Sequence, residues 1–277
     1  MTITAKEYDK YIKGPAIMAN ETKVILGDDV ITSVPWRYAR SKGTEPPYGT
    51  YGVPLKPRGP FTPEFFAKLQ AAIQDLYIAS SMYLMPPGWT LDSIVVASTY
   101  RKAAGKHSLG RAIDIDSIWW KEWGVAGKRW GLVMLDYLKW PARHLAAEAL
   151  LRLHCGTVLS FPYNEQHHCH FHIDDGTDET RLTAHDLDSR HRRVKTLFMQ
   201  HALYHVWGFN PGPLDGKWGR KTALAFVQAM NLGVTLSPYG IQHMLNKPGL
   251  WRSFLIGTVR RFKNSGLNFN VRHLRSE

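Results

Sequence analysis

The chain has 277 residues, 44% of them hydrophobic, and a formal net charge of +12. That length and apolar content suit one large packed domain or two smaller ones, and exclude a disordered or fibrous chain. No run approaches the roughly eighteen uninterrupted apolar residues of a membrane span. The opening MTITAKEYDKYIKG has no basic start, apolar run or small-residue cleavage site, so no secretory signal is read and a cytoplasmic location is expected. The two cysteines, Cys155 and Cys169, are too few for a disulfide scaffold and are expected to be reduced thiols. The charge is uneven: Leu187–Glu277 holds 14 of the 35 Lys+Arg and 3 of the 23 Asp+Glu, a net +11, and the other 186 residues net +1. A basic C-terminal third favours a polyanionic partner, nucleic acid or an anionic cell wall alike.

Residues 1–61 have no clear periodicity and are proline-rich toward their end (Pro46, Pro47, Pro54, Pro57, Pro60), which predicts extended coil laid on a core. Thr62-Pro63 reads as an N-cap and first-turn proline. The series Phe65, Phe66, Leu69, Ala72, Ile73, Leu76, Tyr77 predicts an amphipathic helix over 63–80. Ser93–Thr99 is a β-branched run that predicts a strand. Ala112–Asp116 alternates, with Ile113 and Ile115 on one face and Asp114 and Asp116 on the other. Ala142–His154 predicts a second helix with Gly156 as its C-cap. In Cys169–Ile173 the residues Cys169, Phe171 and Ile173 point one way, and His168, His170, His172 and Asp174 the other. The elements to about residue 180 therefore predict an α+β domain with a small antiparallel sheet. A charged linker (181–192) leads to helices at Val194–Trp207, Arg220–Met230 and after Pro238, a small helical unit whose boundary coincides with the step in charge.

Two constellations carry chemistry. In His107-Ser-Leu-Gly110-Arg-Ala112-Ile-Asp114 a turn at Gly110 brings an imidazole toward a carboxylate. In His167-His168-Cys169-His170-Phe171-His172 strand geometry puts His170 and His172 on one face, roughly 6.5–7 Å apart. Two imidazoles and a carboxylate are a catalytic zinc set that leaves a fourth position for water. His170, His167 and Glu165 are the candidates for moving the proton. Asp116 and Asp174 read as caps or outer partners of the ligands.

His107-x2-Gly110-x-Ala112-x-Asp114 followed by His170-x-His172 resembles the signature of the superfamily of lysostaphin-type enzymes, D-Ala-D-Ala metallopeptidases and the hedgehog signalling domain. His167-x2-His170-Phe171-His172 is similar to the penicillin-insensitive murein endopeptidases within it. The resemblance covers roughly 90–175. It implies one Zn2+ per chain held by His107, Asp114 and His172, active-site roles for His170 and His167, and an Arg101 that contacts substrate. The chain departs from that pattern at Gly105, where members usually have Ser, and at Cys169, where several have an acidic residue; His170 is then the favoured base and Glu165 the second. Leu203–Gln228, with Asp215-Gly216-x-Trp218-Gly219-x2-Thr222, closely resembles the three-helix peptidoglycan-binding domain.

The two resemblances imply a zinc peptidase domain (1–180), a linker (181–192) and a C-terminal three-helix bundle that binds peptidoglycan (193–277). Their combination is similar to a phage endolysin, held in the host cytoplasm, released to the wall at lysis, and expected to be monomeric without stable membrane association. The alternatives at this level are a non-catalytic wall-binding or virion structural protein with a structural zinc, and a zinc amidase cutting the sugar–peptide bond. Nucleic-acid binding lacks the required motifs.

Overall fold

The computed structural model describes residues 36–38, 49, 51, 61–99, 105–176, 181–183, 185–190, 192–231 and 249–264. Its elements are β1 (Trp36–Tyr38), α1 (Pro63–Ala79), β2 (Trp89–Ser98), β3 (Ala112–Glu122), β4 (Arg129–Val133), α2 (Pro141–Arg152), β5 (Thr157–Leu159), β6 (Phe171–Asp174), α3 (Val194–Ala202), α4 (Arg220–Ala229) and α5 (Leu250–Asn264). The fold is α+β, a small, mainly antiparallel sheet flanked by helices. The strand order is β1-β2-β3-β6-β5, with β4 also on β3, and only the β1–β2 pair is parallel.

The N-terminus of α1 forms as its sequence dictates. Thr62 Oγ1 accepts from the Phe65 N–H at 3.3 Å, and Pro63 occupies the first turn, where no donor is missed. The helix runs past its expected end into a wider π turn, Ser80–Leu84. There the Ser80 hydroxyl donates to Leu76 O at 2.5 Å and accepts from Trp120 Nε1 at 2.7 Å.

β3 is the strand on which the sheet is built. β2 pairs along one edge, while β6 takes Ala112–Ile115 and β4 takes Ser117–Lys121 on the other. A bulge against β2 leaves Asp116 unmatched there, since Val95 pairs Ser117 and Val96 pairs Ile115. The extra residue resets the alternation. Ile113, Ile115, Ile118 and Trp120 all face the main core. Trp119 packs with Val95, Val133 and Tyr51 on the opposite face. β2 and β3 are longer than the sequence predicted, β6 starts later than expected, at Phe171, and β4 and β5 were not predicted at all. Trp36–Tyr38 is an edge strand, where the sequence suggested coil; the prolines of that segment lie outside the described residues.

α2 ends at Arg152, so Gly156 is not its cap. Leu153 ends the helix in right-handed conformation, and the Cys155 N–H returns to Leu151 O at 3.0 Å. Every residue from Ala142 to Arg152 is buried. That includes Glu148 and Arg152, paired at 2.7 Å with the Ser160 hydroxyl completing the carboxylate at 2.7 Å. A helix buried all round needs cover on the side away from the sheet, and α5 and α3 supply it. Arg143 lies 4.5 Å over Trp130 and 5.7 Å from the Phe262 ring, Arg152 lies 4.8 Å over Phe198, and Tyr137 Oη meets His201 Nδ1 at 2.9 Å.

One hydrophobic core therefore runs from Phe61 to Phe262, across the 181–192 segment read from sequence as a linker. Within the helical part, Trp207 stacks on Phe254 and donates to Thr258 Oγ1 at 3.1 Å, while Trp218 meets Phe226 edge-on. Both tryptophans are packing residues. The Gln200 carboxamide ties the Asp215-Gly216 turn to α4 through Gly216 N (2.7 Å), Lys217 O (3.0 Å) and Thr222 Oγ1 (3.1 Å). Cys155 and Cys169 form no disulfide, and no helix among the described residues is long and apolar enough to cross a membrane.

A chain ending at residue 192 would expose the outer side of α2, including the buried Glu148–Arg152 pair. It is expected to lose a cooperative thermal transition by circular dichroism. A sharp transition near that of the whole chain would mean instead that the two segments fold apart.

Candidate metal centre

His107 opens a 3-10 turn, His107–Leu109, closed by Gly110 in left-handed conformation (φ 66°). The turn reverses the chain so that β3 starts at Ala112 and delivers Asp114 beneath the imidazole. Gly105 has φ 139°, a conformation that side-chain-bearing residues rarely adopt. His172 arrives from β6, directly paired with Asp114. Phe171 and Ile173 enter the core, so the alternation of β6 turns His172 and Asp174 to the other face.

Three imidazoles converge on one oxygen. Asp114 Oδ1 lies 2.8 Å from His172 Nδ1, 3.2 Å from His107 Nε2 and 3.6 Å from His170 Nε2. One ligand atom each from His107, Asp114 and His172 lies within 4.8 Å of the others, a spacing that can hold a metal ion. The remaining imidazole nitrogens have partners of their own. His107 Nδ1 is hydrogen-bonded to the Thr99 carbonyl, and His172 Nε2 lies 3.2 Å from Asp174 Oδ2. Such outer bonds fix the ring and aim the other nitrogen inward. His107 Nε2 is buried and makes no hydrogen bond although Asp114 lies opposite it, as befits a nitrogen whose partner is a metal. The residues present, two imidazoles and a carboxylate, thus fit a metal ion.

The electrostatics express the same convergence. Burial opposes charge on Asp114, which is 1% exposed, but the close imidazoles of His107, His172 and His170 outweigh it and hold the carboxyl far below its usual range. Burial likewise opposes charge on His172, yet its bonds to Asp114 and Asp174 push it up to about 9. Without a metal, the proton on His172 balances the buried carboxylate.

The other predicted residues fall at different distances. His170 precedes β6 and is at the site, with Nδ1 3.4 Å from Cys169 Sγ. His167, in the 3-10 turn Glu165–His167, has its ring 5.3 Å from His170 and 5.8 Å from His172. Glu165 opens that turn, is exposed, and forms no ion pair with a described residue. Arg101 lies outside the described residues. Asp174 is the outer partner of His172, as expected. Asp116 does not touch the ligands; both its oxygens accept from Gly49 N at 3.1 Å, and burial raises its pKa to about 6.

Sequence reasoning missed the Thr99 carbonyl, which has no side-chain signature. It also missed Asn164, whose Oδ1 lies 2.5 Å from His167 Nδ1. The Asn-x2-His spacing was the available signal, because positions i and i+3 eclipse on a 3-10 turn. Comparisons with models of known protein families, with curated proteins and with solved structures give no match.

Two measurements follow from the raised His172. Its folded pKa of about 9 exceeds the ordinary 6.5. The stability it gives, on the order of 3 kcal/mol, is complete below pH 6.5 and lost as pH rises through 9. Metal-free protein should therefore show a falling thermal midpoint across that window, and zinc-loaded protein a much flatter profile. Zinc displaces the same proton, so its apparent affinity should rise with pH until about 9. Asp174→Asn should weaken zinc binding roughly 10–100-fold in a chelator competition; unchanged affinity would remove Asp174 from the site.

Proposed function

We propose that this chain is a zinc-dependent peptidase that hydrolyses a peptide bond in bacterial peptidoglycan, in the stem or the cross-link, as a phage-type endolysin. The observation that carries the reading is the convergence of His107, Asp114 and His172 on one point, each imidazole braced by an outer acceptor. Two further imidazoles, His170 and His167, border that point. A site that only tied the fold together would have no use for them. The side chains of His107, His170 and His172 are 10–14% exposed, so the site opens to solvent and to a substrate.

Zinc held by His107, Asp114 and His172 would supply the Lewis acid for the scissile carbonyl and would bring the pKa of a water toward neutrality. The chain's own residues do the rest. His170 and His167 are placed to take the proton from water and return it to the leaving amine. Thr99 and Asp174 keep the ligand rings from turning. In the C-terminal part, Lys217, Arg220, Lys221, Arg252, Arg260 and Arg261 are exposed and form no ion pair with a described residue. This surplus favours contact with an anionic wall and supports the wall-binding role of 193–277.

Incubation of purified walls with the protein, followed by mass spectrometry of the released muropeptides, tests the reading. New amino and carboxyl ends at one peptide bond are expected, lost on chelation and in His172→Ala. Release of intact peptides from the sugar would identify an amidase instead, and wall binding without any cleavage a structural role.

A further inference from the structure

β3 and β4 meet in a hairpin whose tip, residues 123–127, reads Trp-Gly-Val-Ala-Gly and carries no charged side chain. Every residue of the tip is exposed, Trp123 to 80% and Val125 to 46%. Contiguous exposed apolar residues of this kind mark a contact surface. The tip is held in shape by the backbone. The Val125 N–H returns to Glu122 O and the Lys128 N–H to Val125 O, both at 3.4 Å. Gly124 and Gly127 stand at φ 75° and 74°, where a side chain is strained, and the Trp123 N–H donates to Gly88 O at 2.7 Å.

The bond to Gly88 joins the hairpin to the loop that follows the π turn Ser80–Leu84, on which Met82 is 49% exposed. Cations rim this apolar end of the molecule. Lys263 of α5 lies 5.2 Å over the Tyr83 ring and forms no ion pair with a described residue. Lys128 lies 5.7 Å over Trp89 and pairs with Glu122, while Lys121 and Arg129 share Asp92. Four cations therefore face two carboxylates there among the described residues, on a chain of net charge +12.

An indole favours the boundary between lipid and water because its ring is apolar and its N–H polar. Attraction to a bilayer adds the apolar area buried among the headgroups to the pull of anionic lipid on nearby cations. The same cationic rim repels a second copy of this chain. We propose that the β3–β4 tip, with Met82 beside it, docks on the headgroup layer of an anionic phospholipid bilayer. The contact is shallow and reversible, since only a turn and one neighbouring side chain enter. Trp123 stands nine residues along β3 from Asp114, roughly 30 Å by the strand rise. Lipid and metal centre thus occupy opposite ends of the strand, and the proposal does not depend on the peptidase reading.

Cosedimentation of the full chain with vesicles of phosphatidylglycerol or of phosphatidylcholine tests the proposal. Binding to phosphatidylglycerol vesicles that weakens with salt is expected, with much less on phosphatidylcholine. Trp123→Ala should lower the partition coefficient roughly tenfold, and Lys263→Glu about severalfold. Thermal midpoint and zinc affinity should be unchanged in both variants. Failure of the wild type to bind, or equal binding by a folded Trp123→Ala variant, would overturn the proposal. So would a wild-type dimer in sedimentation equilibrium that Trp123→Ala dissolves, or loss of binding to lipid-free walls in that variant, since each gives the tip a different occupant.

Discussion

The Asp114 carboxylate is the constraint around which this molecule is arranged. It sits in the central strand at 1% exposure, where an unpaired charge would cost several kcal/mol. Imidazoles from three separate points of the chain supply the compensation, all directed at one oxygen. Each demands its own support: the Gly110 turn for His107, the pairing of β3 with β6 for His172, and the approach to β6 for His170. The arrangement attracts a cation of either kind. A proton on His172 answers the carboxylate when no metal is bound, and a divalent ion would compete for the same place.

β3 makes this possible by changing partners along its length. Its first half faces β6, which brings the histidines. Its second half faces β4, which only builds the sheet. The bulge at Asp116 falls at the changeover and keeps both halves in phase with the core. A regular strand of the same sequence would carry Ile118 and Trp120 to the face that holds Asp114, leaving the larger side chains without cover. Asp116 does its work there by holding Gly49 across the outer face, beside the ligands but apart from them.

The helical C-terminal part belongs to the same body of packing. α2 carries His144, Glu148 and Arg152 inside the protein, and such residues are buried only when every polar atom is met. α3 and α5 close over the helix, with Phe198 against Arg152 and Phe262 against Arg143. The helical part and the candidate metal centre are then linked through shared core residues, and Arg192 extends that link to the histidine loop.

Much of the candidate site was legible before any coordinates. The alternation in AIDID and HFHID assigned faces correctly, because the period of a strand is a local property of the backbone. Thr62-Pro63 marked the start of α1, and the resemblance of the two motifs to a known metal-binding signature singled out His107, Asp114 and His172. The length of β3 was not legible, since Ser117–Glu122 abandons simple alternation at the bulge. Nor was the burial of α2, whose weak amphipathic pattern reflects cover on both sides by residues a hundred positions away. The outer partners differ again. Asp174 lay on the expected face, while the Thr99 carbonyl is invisible in any sequence and Asn164 needed a turn type that its residues do not announce. Sequence by itself determined which side chains are available for chemistry and which face of a strand they occupy. Tertiary structure alone decided that His172 stands 58 residues from Asp114 yet within hydrogen-bond reach of it, because strand register is set by the packing of the whole sheet.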